Sequence, residues 1–153
     1  MLCEFQWKEP GDLLDHDLEL VLVERSPEDK AKGYVPAYQF EMRQTGSGEK
    51  IGSISLRVGD TFRLRMYGGN LGFGVRPEFR GRHYAARACR LLLPLARLHG
   101  MTEFWITCNP DNAASRRTCE LAGAVFVEIV DVTEDIDMYQ EGERQKCRYR
   151  LEL

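Results

Sequence analysis

A chain of 153 residues, 43% hydrophobic and 29% charged, has the length of one domain (1–153) and a globular balance, which excludes the disordered and fibrous classes. Its longest near-continuous apolar stretch, 91–96, is far short of the ~18 residues of a membrane span, and its acid-bearing start has no signal-peptide core, so a cytoplasmic protein off the membrane is expected. The net charge of −3 hides a separation: between 57 and 97 nine arginines meet only Asp60 and Glu78, a local +7 that leaves −10 elsewhere, and such a centre concentrates an anionic ligand.

In chain order, 18–24 (LELVLVE) reads as a strand, and Ser26-Pro27-Glu28-Asp29 supplies a cap, a first-turn proline and first-turn acids for a short helix ending at Gly33. Tyr38, Phe40 and Met42 alternate with Gln39, Glu41 and Arg43, the period of a half-buried strand. Residues 45–48 turn the chain, and 50–57 and 61–67 predict two further strands, making the first half an antiparallel meander. The strand at 71–76 carries Gly72 and Gly74, a sign of a bulge or of close approach by a ligand. From 82 to 99, Ala85, Ala88, Cys89, Leu92, Leu93 and Ala96 keep helical spacing up to Gly100, with Pro94 expected to kink the helix against the carbonyl of Arg90. A strand at 103–108, a helix at 112–122 stopped by Gly123, and paired strands at 124–132 and 146–153 complete the pattern. Phe104 and Trp105 read as core. Cys3, Cys89, Cys108, Cys119 and Cys147 are odd in number and have no metal-ligand spacing, so neither a disulfide framework nor a metal site is expected.

The chemistry concentrates where the glycine-bearing strand runs through Pro77-Glu78-Phe79-Arg80-Gly81-Arg82-His83-Tyr84-Ala85 into a helix. A helix start leaves backbone N–H groups unpaired at the positive end of its dipole, and with Arg80 and Arg82 beside it that end suits a pyrophosphate. The spacing fits neither the nucleotide P-loop nor the dinucleotide fingerprint. The segment 75–85 resembles the acetyl-CoA signature Q/R-x-x-G-x-G/A of the Gcn5-related N-acetyltransferases, with Arg80 in the first position, His83 in the glycine position and Ala85 in the last. Downstream, Asn112-Ala-Ala-Ser115-Arg-Arg117-Thr-Cys-Glu120-Leu-Ala-Gly123 resembles that family's N-x-x-S-x-R-x-x-E-x-x-G helix, in the spelling of the branch that acetylates ribosomal-protein termini.

The resemblance implies an α/β fold whose mixed, mostly antiparallel sheet splays beside an acetyl-CoA site flanked by helices, and acetyl transfer to an amine by direct attack in a ternary complex. It implies that amides of Arg80, Gly81, Arg82, His83, Tyr84 and Ala85 hold the pyrophosphate. The backbone of Phe73, Gly74 and Val75 would pair with the pantetheine arm, and Asn112 would touch that arm. The Val75 amide would stabilise the developing oxyanion, and Ser115 would protonate the departing thiolate while also contacting the cofactor. The sequence departs from the pattern at His83, a residue type tolerated at positive φ, and at Cys119, where many relatives carry a tyrosine acid; Cys119 reads mainly as a buried thiol. Glu41 stands as a candidate base, Glu120 as a partner of Arg116 or Arg117, and Tyr67, Asn70 and Tyr139 as acceptor-pocket candidates.

The rival readings are a non-catalytic acyl-CoA-binding module and, from the arginine-rich segment, a nucleic-acid binder; the second is disfavoured because those arginines interleave with an apolar stripe. Acids crowd both ends: nine against Lys8, Arg25 and Lys30 in 1–30, and six against Arg144 in 131–145. If both segments border the acceptor mouth, a cationic small-molecule or peptidyl amine is the expected partner. A homodimer is the assembly considered.

Overall fold

The computed structural model describes residues 5–153; Cys3 and the acid Glu4 lie outside the described residues. Strands β1 (Leu13–Asp15), β2 (Leu18–Ser26), β3 (Ala37–Gln44), β4 (Lys50–Arg57) and β5 (Leu71–Val75) form a five-stranded antiparallel meander in chain order. Alternation decides its two faces. Leu18, Leu20, Tyr38, Phe40, Met42, Ile54 and Leu56 are buried on one face, while Gln39, Glu41, Ser53, Ser55 and Arg57 hold the polar one, with Gln39 opposite Ser55 and Glu41 opposite Ser53.

Helices α1 (Tyr84–Leu91) and α2 (Leu93–Leu98) cross to β6 (Glu103–Cys108). Ala85, Ala88, Cys89, Leu92, Leu95 and Ala96 are buried against the apolar face. The kink expected from Pro94 is a break at Leu92, whose N–H reaches back only to Cys89 O (3.2 Å); proline cannot donate and crowds the carbonyl four residues before it. Then α3 (Ala113–Ala122), β7 (Val125–Asp131), α4 (Asp137–Gln140) and β8 (Gln145–Glu152) follow, with β8 paired between β6 and β7 in a second antiparallel sheet.

Two predicted elements are absent. Residues 27–33 are a turn, because the Asp29 carboxylate accepts from the amides of Ala31 and Lys32 and Asp29 bridges Tyr34; such local bonds compete with a helix that has nothing apolar to bury. Residues 61–67 are not a strand. They wind into a π-helical turn, Leu64–Gly68, which buries Leu64 and Tyr67 three apart, with Leu64 N donating to Thr61 Oγ1 just before it.

The sheets meet at one point. Asn70, 1% exposed, donates through Nδ2 to the carbonyls of Arg57 and Gly59 and accepts from Trp105 N, and its own amide donates to Trp105 O at 2.5 Å. Gly69 makes this approach feasible: it holds φ +75°, and a Cβ there would stand 3.0 Å from Trp105 O. β5 and β6 share no ladder beyond that pin, so they diverge toward Val75. Trp105 is not core as expected; it lies on the half-exposed face of β6 under the Arg148 guanidinium, 4.3 Å from its ring.

Candidate active site

The divergence leaves β5 with a free edge. Arg57 N donates to Asn70 O (2.7 Å) and Arg76 N to Ile51 O (2.8 Å), so, by the alternation of an antiparallel ladder, the even-numbered residues of β5 spend their backbone groups on β4. Leu71, Phe73 and Val75 turn theirs outward. At Phe73 and Val75 no strand of the described residues stands opposite, and such an edge pairs with an extended ligand. Val75 O already accepts from Arg80 Nε at 3.2 Å.

Beyond β5 a 3₁₀ turn, Pro77–Phe79, leads into α1. Gly81 (φ 84°) and His83 (φ 61°) are both left-handed, and no side chain caps the helix. Its first helical bond is Arg87 N to His83 O (3.0 Å), so the amides of Tyr84, Ala85 and Ala86 have no helical acceptor. Tyr84 and Ala85 lie at the cavity lining, where the positive end of the dipole and these amides make an anion site built from backbone. His83 thus fits a position where the signature it resembles has glycine, at a conformational cost. His83→Gly is expected to raise stability by about 0.5–1 kcal/mol in urea melts, with no loss of CoA affinity.

These two donor sets open on one cavity of about 540 Å³. Phe73, Gly74, Val75, Arg80, Gly81, His83, Tyr84, Ala85, Asn112 and Ser115 all line it. Arg82 does not: its guanidinium stands over the Phe79 ring, 6.0 Å from the centroid. Asn112 caps α3, its Oδ1 accepting from Ser115 N at 3.1 Å, which leaves its Nδ2 free. The Ser115 hydroxyl makes no hydrogen bond among the described residues. Cys119 lies one turn on, fully buried and off the cavity lining; the neighbouring Cys108 and burial push its thiol up, and burial drives Cys89 to about 12. Sequence reasoning missed Thr118 and Leu121, which line the cavity with Ser115; Thr118, three residues on, shares the Ser115 face of the helix, and Leu121 lies three beyond Thr118.

Tyr84 is fixed from behind. Its hydroxyl donates to Asp17, which Arg87 also grips at 2.7 Å alongside Asp15. The Tyr84 hydroxyl, and after it Arg87, hold the Asp17 carboxyl down to about 2. Hence Asp15 and Asp17 are spent on α1, and Glu9 pairs with Arg25; these early acids do not border an acceptor mouth as expected. Glu41 is paired with Arg43 at 3.2 Å, and Glu120 with Arg117 at 3.4 Å.

A second cavity, also about 540 Å³, opens toward the polar face of the meander, between the 27–35 turn, the π-helical turn and the β7–β8 connection. Gln39, Arg57, Tyr67, Asp137 and Glu141 line it; Asn70 and Tyr139 do not. Arg57 approaches Gly72, two residues along β5 from Gly74 of the first cavity.

The family model for an acetyltransferase (GNAT) domain matches residues 7–125. No curated protein sequence matches. Among solved structures, a protein assigned as a ribosomal-protein-serine acetyltransferase of Vibrio cholerae superposes with TM-score 0.69 at 15% identity, over 95% of this chain and all of the other. An acetyltransferase of Salmonella typhimurium that modifies the N-terminal serine of ribosomal protein L7/L12 gives 0.59 at 18% identity, over 80% of this chain and 66% of that one. The microcin C7 self-immunity acetyltransferase, solved with acetyl-CoA and AMP, gives 0.58 at 16% identity, over 76% of this chain and 61% of that one. At such identities the likeness is one of fold.

Proposed function

The chain belongs to the GNAT family of acetyl-CoA-dependent N-acetyltransferases, and from that premise we propose which of its residues bind the cofactor, which move the proton, and which face meets the amine. One observation carries the proposal: the unpaired edge of β5 and the uncapped start of α1 open on the same cavity, with Ser115 on its far wall. Acetyl-CoA supplies the acyl group and a thiol leaving group. The residues fit it, since an extended amide-bearing arm matches the Phe73 and Val75 edge and a pyrophosphate matches the Gly81–Ala86 amides with Arg80. The Val75 N–H stabilises negative charge growing on the acyl oxygen. The Ser115 hydroxyl, held by the Asn112 cap, gives its proton to the departing sulfur.

The amine enters from the second cavity, small-molecule or peptidyl, in a compartment where the buried cysteines stay reduced, as in cytoplasm. Glu141, without an ion-pair partner among the described residues, gives its rim negative charge, since Asp137 is paired with Arg63, so an acceptor with an added positive group is steered in. Its kcat/KM is expected to fall as salt rises from roughly 0.05 to 0.5 M, while that of a matched acidic amine does not. For assembly, β7 leaves Val125, Phe126, Val127 and Ile129 exposed on a strand with a free edge, the kind of surface that pairs with its own copy across a twofold axis. Sedimentation is expected to report a dimer, lost in Val127→Lys. The functional test is thiol release from acetyl-CoA with a panel of amines: release that requires an amine supports transfer, and CoA binding with no release under any amine means a binding module.

A further inference from the structure

Arg57 stands apart from the arginines spent on carboxylates. It projects from β4 on the polar face, and its Nη1 donates to the carbonyls of Gly68 (2.9 Å) and Gly69 (3.1 Å). Among the described residues it has no ion-pair partner, whereas Arg87, Arg148 and Arg150 each hold at least one carboxylate. Burial alone acts on its pKa, downward, with no carboxylate opposing it. The backbone also makes room for it. A Cβ on Gly72 would come within 2.8 Å of Nη2, so the glycine in this strand is explained by the guanidinium lying across it. The half-buried cation therefore reaches the second cavity with Nε and Nη2 unspent among the described residues, placed to take a ligand's counter-charge.

Across that cavity the charge reverses. Glu141 has no ion-pair partner among the described residues, while Asp137 pairs at 3.6 Å with Arg63, another residue of the lining. The cavity thus has a positive floor beside β5 and, at Glu141, a rim carboxylate without a counter-charge. Two residues along β5 from the guanidinium, about 7 Å at the rise of a strand, Gly74 opens onto the first cavity.

We infer that this cavity is the acceptor subsite and takes an amine that also bears a carboxylate, an amino acid or a peptide presenting one. Arg57 binds the carboxylate in a forked pair, and Glu141 faces any added cationic group. The inference rests on the acetyltransfer reading above. The chemistry balances: the ammonium gives up one proton to solvent, the C–N bond forms as the thioester C–S bond breaks, nitrogen loses its second proton, and the thiolate gains one. Arg57 acts on binding and specificity and takes no part in proton movement.

The test compares, in the unaltered protein, each of the twenty amino acids with its α-carboxamide and its decarboxylated amine as acceptors. For the accepted side chain, kcat/KM is expected to be about 10- to 100-fold higher for the carboxylate than for the other two, the scale of a lost charge-assisted pair. In Arg57→Met that preference should vanish, the kcat/KM for the carboxylate falling to that of the decarboxylated amine, while CoA still raises the melting temperature. Since Arg57 also caps two carbonyls, Arg57→Lys serves as the folded control and should keep part of the preference. Equal or better turnover of the amide, or rejection of every carboxylate-bearing amine while CoA still raises the melting temperature, overturns the inference alone. Absence of any CoA effect overturns the acetyltransfer reading instead.

Discussion

Replacing Ser115 by alanine is expected to lower kcat by about 10² or more, the loss typical of a positioned general acid, with the affinity for CoA nearly unchanged. The substitution isolates the hydroxyl, because the Asn112 cap is made to the Ser115 backbone amide, which alanine retains. Helix α3 therefore keeps its start. Cys119→Ala supplies the contrast. Its thiol is fully buried, so losing it costs about 1–2 kcal/mol of stability through a small void, yet it lies off the cavity lining and turnover should persist. Steady-state kinetics with calorimetric CoA titration separates the two. If the cysteine variant loses turnover and the serine variant keeps it, the donor assignment moves to Cys119.

The second large effect falls on Arg80. Its Nε bonds the Val75 carbonyl and the residue lines the cavity, with both Nη groups making no hydrogen bond among the described residues. Removing a charge-assisted contact of this kind is worth about 1.5–3 kcal/mol, so Arg80→Ala should weaken CoA roughly 10- to 100-fold. Arg82, turned over Phe79, should change affinity by less than about threefold when made alanine. Pantetheine, which lacks the pyrophosphate, should bind both variants as it binds the parent. Equal losses at the two arginines would mean that long-range charge, and not the contact at Arg80, dominates.

The fold and site were legible in the sequence wherever a local signal and a tertiary demand agreed. Tyr38, Phe40 and Met42 alternate because one face of β3 is buried, and Ala85, Ala88 and Cys89 repeat helically because α1 covers that face. Both patterns survive folding unchanged. The helix expected after Ser26 failed because cap and proline signals say nothing about what the helix would bury, and Asp29 satisfied its neighbouring amides more cheaply. The strand expected at 61–67 failed because Phe62, Leu64 and Met66 mimic period two, while Leu64 and Tyr67 are the pair the core takes. At the site, the motif spelling picked out many of the residues lining the first cavity but not Thr118 or Leu121, and it also picked Arg82, since spacing does not fix which way a long side chain turns. Arg57 carried no motif at all. Its meaning depends on the missing side chain at Gly72 and on the absence of a nearby carboxylate, both of which exist only in three dimensions.

The central claim, that the cofactor lies on the unpaired edge of β5 and the uncapped start of α1, is tested most directly by titrating ¹⁵N-labelled protein with CoA and following the backbone amides. The amides of Phe73 and Val75 and those of Arg82 through Ala86 are expected to shift together and saturate with one dissociation constant, while those of Gly72 and Gly74, already committed to β4, shift least along the strand. Saturable CoA binding that leaves Phe73, Val75 and the α1 amides unmoved, or no binding at millimolar CoA, would contradict the account.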